Sequence, residues 1–344
     1  MTLLLRRAWL AALLVPASGT AQVVESLVFS TPAEGRSAAL GGTLIADLRP
    51  DLHGAAMQPA FLHPEDKGRI AADFTDYFAG TRLASVVAPL RVKTGAGGAV
   101  RTWAVGARMH DYGAFAGTDA TGAETGSFRG GDYAVSSTWS WRPDSVWSVG
   151  VSAWGGMRYL ERAAVGWAGL DLGVHGRWPD RGWAVGAALT GWGGQFGASG
   201  TWPTGRHPAN LQLGVSRGFA HAPFTLYARA GHLLTWDLAP PGIYDDRIDP
   251  LTGDTLANRT WAFGDRLMRH VGLGTELRLS DALRFQIGYD YRRRKELASG
   301  GRAGTAGLAL GISFRVKTFG LQVSRATYHF AGSSTHLGVT WNPS

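Results

Sequence analysis

Residues 132–192 set the pattern for the whole chain and read DYAVSSTWSWRPDSVWSVGVSAWGGMRYLERAAVGWAGLDLGVHGRWPDRGWAVGAALTGW. Bulky apolar side chains alternate with small or polar ones in four successive runs. In the first run Tyr133, Val135 and Trp139 share one phase, and small or polar residues occupy the other. Such a period of two is typical of β-strands whose two faces meet different surroundings. The stretch therefore predicts four consecutive strands joined by short turns.

Two folds accommodate strands of this kind. In a soluble β-sandwich the apolar face packs against a second sheet, whereas in an outer-membrane barrel it faces lipid and the small, polar face lines the interior. The length of 344 residues fits either two soluble domains or one large barrel. After residue 21, no stretch approaches the roughly 18 continuous apolar residues that a membrane helix needs.

The same alternation continues to the end of the chain. We count about fourteen candidate strands, most of them close to the roughly 9–11 residues that a tilted membrane strand requires. They span residues 69–77, 81–92, 99–111, 132–142, 147–158, 163–177, 182–192, 210–219, 224–232, 268–279, 283–293, 305–315, 319–327 and 334–341.

The lengths of the connections decide between the two folds. The tight connections are residues 93–98, 143–146, 178–181, 220–223, 280–282 and 316–318. The long connections are residues 112–131, 193–209, 233–267 and 294–304. All long connections fall on one parity, which places them on one rim, as in outer-membrane barrels. We therefore predict an all-β transmembrane antiparallel barrel of about 14 strands, with extracellular long loops and periplasmic termini.

The first 21 residues are predicted to be an export signal. Arg6 and Arg7 precede an apolar run at residues 8–15, and small residues at 19–21 form a cleavage site. The mature chain would begin at Gln22. Because the exported chain contains no Cys, disulfides and thiol chemistry are excluded.

Residues 22–67 differ from the strands and are predicted to form an N-terminal arm before the barrel at 68–344. A short helix is expected at residues 36–40, stopped by Gly41 and Gly42. This segment is too short for a domain of its own. We expect it to pack on the barrel, and a plug inside the lumen is one option.

The formal net charge of +8 raises the question of nucleic-acid binding. The charges are spread over strands and turns, and the longest basic run is only Arg292–Lys295. We therefore expect no nucleic-acid partner. The run itself fits either contact with lipid phosphates or an ordinary solvated strand end.

The sequence predicts no enzyme, no cofactor and no metal centre. It contains neither the His-Glu-x-x-His pattern of zinc hydrolases nor a Ser-x-x-Lys pattern. The aspartates of residues 249–254 fit either a calcium loop or a solvated turn, and they lack the dense spacing of strong calcium loops.

Six segments together resemble one known family. They are Gly35–Gly42, Phe128–Tyr133, His221–Phe224, Asp249–Asp254, Phe263–His270 and Arg325–Gly332. In this order and spacing they resemble the PorQ family of accessory outer-membrane barrels of the type IX secretion system, which is related to the long-chain fatty-acid transporter barrels. The resemblance covers Ser26 to Trp341. The chain departs from it at Gln58, where the family has Asn before Pro-Ala, and in its richness in Trp and Arg.

This resemblance implies a non-enzymatic membrane anchor in the attachment complex of that system. It would hold a PorZ-like surface protein beside a PorU-like sortase and a PorV-like shuttle, in contact with outer-membrane lipid and lipopolysaccharide. The long loops would form the partner surface, since aromatic side chains dominate interface energetics. The predicted partner-binding residues are Phe115, Phe128, Phe196, Trp202, Tyr244 and Trp261.

Two other functions stay open. One is a channel or transporter for hydrophobic small molecules, which needs an opening in the wall and an apolar lumen pocket. The inward phase carries mainly Gly, Ser, Thr, Gln and Arg, which disfavours such a pocket. The other is a general aqueous pore.

Overall fold

A computed structural model describes residues 34–95, 98–161, 163–197, 209–248, 255–256, 258, 261–297, 304–329 and 332–343. The predicted export signal, Trp202 and the aspartate-rich segment 249–254 lie outside the described residues. Fourteen antiparallel strands close into one barrel, because the first strand pairs with both the second and the last. The predicted fourteen-stranded barrel is therefore confirmed, and the β-sandwich is wrong.

The barrel strands follow one another in chain order around the wall. Their bounds are β1 Ile70–Asp76, β2 Arg82–Thr94, β3 Val100–Thr118, β4 Glu124–Arg142, β5 Trp147–Leu160, β6 Ala163–Trp178, β7 Trp183–Phe196, β8 Asn210–Phe219, β9 Ala222–Ala230, β12 Val271–Arg278, β13 Leu283–Asp290, β14 Leu308–Val316, β15 Phe319–His329 and β16 Gly332–Trp341, with the short pair β10 Arg247–Ile248 and β11 Thr255–Leu256 in the β9–β12 connection.

Three short α-helices accompany the strands, namely α1 Gly35–Ala39, α2 Ala262–Arg269 and α3 Tyr291–Glu296. Single 3-10 turns span His53–Ala56, Pro59–Phe61, Pro64–Asp66 and Pro179–Arg181. Among the described residues, no helix is long and apolar enough to cross a membrane.

Several predicted boundaries are wrong. The segment 112–131 is not a loop, because β3 and β4 continue as a paired hairpin as far as Thr118 and Glu124. Its Gly- and Ala-rich sequence has no apolar alternation, but backbone hydrogen bonds alone can build the ladder. The predicted strand 283–293 ends at Asp290, whose carboxylate accepts the Arg293 N–H (3.0 Å) and caps α3. Met268, predicted to begin a strand, belongs to α2.

The two faces of each strand meet different surroundings, as the alternation predicted. On β13 the Ile287 side chain is 56% exposed on the outer surface, whereas Gln286 points inward and is 1% exposed. Exposed apolar residues occupy the outward phase around the whole wall, and buried Ser, Thr, Gln and charged residues occupy the inward phase. A charge on such an outer face would cost roughly 2–4 kcal/mol at mid-depth in a bilayer. This outward apolar surface is called the lipid belt below.

Exposed aromatic side chains mark the rim that carries the short turns. They are Trp141, Trp147, Trp183, Phe319 and Trp341. Aromatic rings at this level are typical of the membrane–water interface of outer-membrane barrels.

Residues 34–66 fill the lumen and are called the plug segment. Ala38, Leu40 and Phe61 are fully buried inside a wall whose inward residues are otherwise largely polar. α1 contacts β13 to β16, and the turn Pro59–Phe61 contacts β4 to β6. Because the plug segment reaches opposite sides of the wall, it crosses the lumen.

Glycines in the wall allow the plug backbone to come this close. A Cβ added to Gly150 would overlap the backbone of Pro59, and one at Gly186 would overlap the carbonyl of Ile45. A Cβ at Gly288 would likewise overlap Gly41. The small inward residues of the sequence therefore make room for protein backbone in these places.

Candidate functional site: the barrel wall and the plug

A buried ion-pair network fastens the plug segment to the wall. The Arg36 guanidinium donates through Nη1 to Asp47 (2.6 Å) and through Nε to Glu276 on β12 (2.7 Å). Its Nη2 donates to the Tyr227 hydroxyl on β9 (3.0 Å). All four side chains are buried. Removing one partner of such a network leaves the others charged or polar without compensation, which costs several kcal/mol.

A second contact joins the plug segment to the seam where the barrel closes. The His53 ring bonds through Nδ1 to Asp73 on β1 (2.9 Å) and through Nε2 to Thr340 on β16 (2.7 Å). β1 and β16 are the first and last strands of the wall and pair with each other. One buried side chain of the plug segment therefore bridges the two strands of the seam.

A small cavity of about 20 Å³ lies between the plug segment and β2 to β6. Ala55 and Leu62 of the plug segment line one side of it, and Arg108, Trp154 and Asp171 of the wall line the other. A space of this size holds about one water molecule. This part of the lumen therefore has no room for a solute.

A much larger depression, the wall groove, lies on the outer surface of the same part of the wall. Its volume is about 790 Å³, and its floor consists of small residues. The floor includes Ala84, Ala107, Ala134, Gly155 and Gly156, and the rim includes Met109, Tyr133, Val135, Met157 and Phe196. Ala107, Arg108 and Ala134 line both the wall groove and the inner cavity. The wall groove and the inner cavity therefore lie on opposite sides of the same part of the wall.

Two tryptophans lie behind this thin wall and are called the tryptophan pair. Trp154 on β5 and Trp167 on β6 are both buried, and their rings make an edge-on contact at 5.6 Å. Cβ atoms added to Gly156 and Gly169 would press against these rings. Behind the part of the wall that consists of glycine and alanine, the tryptophan pair fills the space on the lumen side.

A carboxylate holds Trp154 in this position. The indole N–H donates to Asp171 Oδ1 (3.0 Å), which also accepts the backbone N–H of Gly191 (2.7 Å). Gly191 lies at the register shift of the β6–β7 ladder and has a φ of +73°, a conformation that glycine adopts readily. The bulge in β7 thus supplies a backbone donor that orients Asp171 toward the ring.

The predicted partner-binding residues fall in three separate places. Phe115 and Phe128 come together as a stacked pair (5.4 Å, 22°) on the β3–β4 hairpin. Phe196 lies on the rim of the wall groove at the end of β7. Tyr244 and Trp261 lie in the β9–β12 connection, where the Tyr244 hydroxyl donates to Asp265 (2.8 Å). Sequence reasoning missed the tryptophan pair, although its residues share the inward phase of their strands.

One pattern of hydrolases occurs in the chain but lacks the required geometry. Gly214–Gly218 reads Gly-Val-Ser-Arg-Gly, the spacing of a nucleophile elbow. Ser216 lies in the middle of β8, buried against the lumen, rather than on a turn between a strand and a helix. Within the described part of the chain, no group of three or more His, Asp or Glu side chains is placed to hold a metal ion.

Comparison with known proteins finds similarity in fold. No protein-family model matches the sequence, and no curated protein matches it either. The toluene transporter TbuX of Ralstonia pickettii is 16% identical with a TM-score of 0.47, over 89% of this chain and 96% of that one. A mutant of the monoaromatic hydrocarbon channel TodX is 14% identical with a TM-score of 0.49, over 89% and 96%.

A Pseudomonas aeruginosa FadL homologue is 11% identical with a TM-score of 0.45, over 92% of this chain and 99% of that one. At these identities the likeness concerns the fold alone. The closed barrel, the lipid belt and the aromatic rim of this chain define the architecture of an integral outer-membrane β-barrel.

Proposed function

We propose that this barrel admits small hydrophobic molecules through its wall. The observation that carries the proposal is the wall groove, an apolar depression of about 790 Å³ on the lipid belt with a floor one backbone layer thick. Its volume falls within the roughly 300–1,000 Å³ of small-molecule sites. Because the wall groove lies on the lipid belt, a hydrophobic molecule reaches it from the membrane without passing through water.

The tryptophan pair and the plug segment determine what lies beyond the groove. Trp154 stands between the groove floor and the small inner cavity, which it lines together with Asp171. Passage between lipid and lumen therefore requires the paired strands of the wall to part locally and Trp154 to move, and passage along the lumen requires the plug segment to shift. In the conformation described, the route is closed on the lumen side, which excludes water and ions.

Filling the groove floor is expected to slow passage. A Cβ at Gly155 points into open space, with its only close neighbour the Trp167 carbonyl at 3.8 Å, so Gly155→Leu fills the groove without breaking the ladder. We expect about a tenfold lower rate of accumulation of a radiolabelled alkylbenzene in cells that depend on this barrel. Ala228→Leu, on the outward phase of β9 away from the groove, is the matched control. Equal rates for the two variants would refute a route through the groove.

The β3–β4 hairpin favours a second candidate function, the membrane anchor of the attachment complex that the PorQ-family resemblance implies. The pairing of β3 with β2 ends at Asp111, and that of β4 with β5 ends at Gly130. Residues 114–128 therefore project beyond the neighbouring strands as a two-stranded hairpin with the stacked Phe115–Phe128 pair on it. Free strand edges beside exposed aromatic rings suit a protein partner, which we propose to be the PorZ-like surface protein.

Disrupting this pair tests the anchor function. In Phe115→Ser/Phe128→Ser the hairpin keeps its backbone pairing but loses its stacked rings, so we expect recovery of a PorZ-like partner from detergent extracts to fall at least tenfold. Phe219→Ser removes a ring of similar exposure to Phe115 from the opposite, short-turn rim and serves as the control. If the double variant recovers as much partner as the control, the hairpin does not hold that protein.

A further inference from the structure

Helix α2 is inverted relative to an ordinary surface helix. Its charged residues Asp265 and Arg269 are 6% and 3% exposed, whereas Phe263 and Leu267, one turn apart on the other side, are 55% and 45% exposed. Trp261, just before the helix, is 75% exposed. A helix at a water interface places its apolar stripe toward the protein. The exposed side of α2 therefore requires an apolar environment that the described residues do not supply.

The polar side of α2 is fixed in place. The Asp265 carboxylate accepts hydrogen bonds from Arg269 Nε (2.7 Å), the Tyr244 hydroxyl (2.8 Å) and the Tyr291 hydroxyl (2.8 Å). Although burial favours the neutral acid, these hydrogen bonds lower the pKa of Asp265 and keep it ionised. Because α2 is tied to the preceding loop and to α3, it cannot roll to bury its apolar side.

The loop that leads to α2 enlarges the exposed apolar surface. The Trp236 ring lies 5.8 Å from Phe263, and Leu233 and Leu234 are exposed beside it in sequence. Together with the helix they form the apolar cap, which consists of Leu233, Leu234, Trp236, Trp261, Phe263, Leu267 and Met268.

The apolar cap is continuous with the lipid belt. The Leu233 N–H bonds to the Leu211 carbonyl (3.1 Å), so the chain leaving β9 still runs along the edge of β8 where the cap begins. On the other side, Met268 is three residues from the start of β12, whose outward residue Leu273 is exposed. The cap therefore starts where the lipid-facing surface of β8, β9 and β12 ends.

We propose that α2 lies in the membrane leaflet at the long-loop rim, with the apolar cap among lipid acyl chains and its polar side against the barrel. Helices of this kind lie in the interface plane and bury their apolar side roughly 5–10 Å into the boundary between headgroups and acyl chains. Continuity with the lipid belt favours lipid over a protein as the occupant. The exposed Lys295 ammonium, 3.8 Å from Asp265, lies at the level of anionic headgroups.

Spin labels can locate the cap because the chain contains no Cys. Single-cysteine variants Phe263→Cys and Leu267→Cys are labelled, reconstituted in nanodiscs and measured for collision with oxygen and with a water-soluble nickel chelate. Phe285→Cys is the lipid-facing control, and Asp245→Cys, exposed in the same connection as α2, is the water-facing control. We expect positions 263 and 267 to match 285, with oxygen contact at least fivefold above nickel contact after normalisation to 245.

A reading at position 263 or 267 that matches Asp245→Cys would overturn the proposal and leave a protein partner as the occupant of the cap. Each labelled barrel is first checked for the heat-sensitive electrophoretic mobility of a folded barrel. If a label at 263 or 267 prevents folding, Trp261→Cys and Met268→Cys replace the two positions, with the same expected readings and the same contradicting result.

Discussion

Trp154→Ala is expected to ease passage between the wall groove and the lumen. The indole fills space on the lumen side of the floor at Gly155 and Gly156, where the groove floor consists of small residues and the Trp167 ring is the aromatic neighbour of Trp154. Removing a buried Trp costs about 3–5 kcal/mol and leaves a cavity when the surroundings cannot collapse. β4, β5 and β6 stay paired around that cavity, so passage also requires their ladder to open locally, and the cavity behind Gly155 and Gly156 lowers the cost of that opening.

The measurement uses a cysteine in the inner cavity as a reporter. Ser152→Cys faces the cavity from β5, and a lipid-dissolved pyrene maleimide can reach it only through the wall when glutathione consumes the reagent in water. We expect labelling at least tenfold faster in the Trp154→Ala background than in the parent. Trp192→Ala, which removes an outward tryptophan from β7, is the matched control. Similar labelling in all three backgrounds would mean that Trp154 does not close the wall.

This experiment separates the closure of the wall from the proposed function. Faster labelling without faster entry of an alkylbenzene would keep Trp154 as the residue that closes the wall and would discard the transport proposal. Faster entry without faster labelling would place the route elsewhere in the barrel.

Arg36→Ala is expected to release the plug segment and make the barrel conduct ions. The variant leaves the buried carboxylates of Asp47 and Glu276 without their shared cation, which costs about 3–5 kcal/mol when one partner of a buried pair is removed. The wall itself keeps all of its ladder hydrogen bonds, so the substitution destabilises the contact between the plug segment and the wall. We expect planar-bilayer recordings to show at least a tenfold rise in mean conductance over the parent protein.

Arg266→Ala provides the control for this result. Arg266 pairs with Asp237 at 3.1 Å, but both side chains are partly exposed, and surface pairs of this kind contribute about 0–1 kcal/mol. Its conductance should equal that of the parent. Adding Glu276→Gln to Arg36→Ala removes one of the two carboxylate charges that lost the Arg36 cation, and should lower the conductance again. If Arg36→Ala conducts no more than the parent, the ion-pair network does not hold the plug segment.

The alternation of the sequence predicted the wall well, because one rule governs every strand. Outward Ile287 and inward Gln286 differ by one position, and the local sequence alone assigns them to opposite faces. The sorting of tight and long connections similarly placed the two rims. The helix of the plug segment was also predictable, since Gly41 and Gly42 adopt positive φ directly after it.

The site was less predictable because contacts between distant segments create it. The inward phase was interpreted as mainly small and polar, which disfavoured a hydrophobic route, whereas the groove lies on the outer face and draws on six strands from β2 to β7. Trp154 and Trp167 are large apolar residues in this mainly small and polar phase, and the sequence alone shows that difference. Helix α2 was not predicted because its buried side is charged, whereas apolar residues are usually expected to face the protein interior.

The position of His53 has a consequence for how the molecule is assembled. This side chain contacts both the first and the last strand of the barrel. It therefore stabilises the pairing of β1 with β16 from inside the lumen. The backbone of the plug segment lies very close to Gly150, Gly186 and Gly288 of the wall. The plug segment therefore cannot enter a closed barrel unless strands of the wall separate. We therefore expect the sheet to close around residues 34–66 during assembly, and shortening this segment should prevent insertion of the barrel into the membrane.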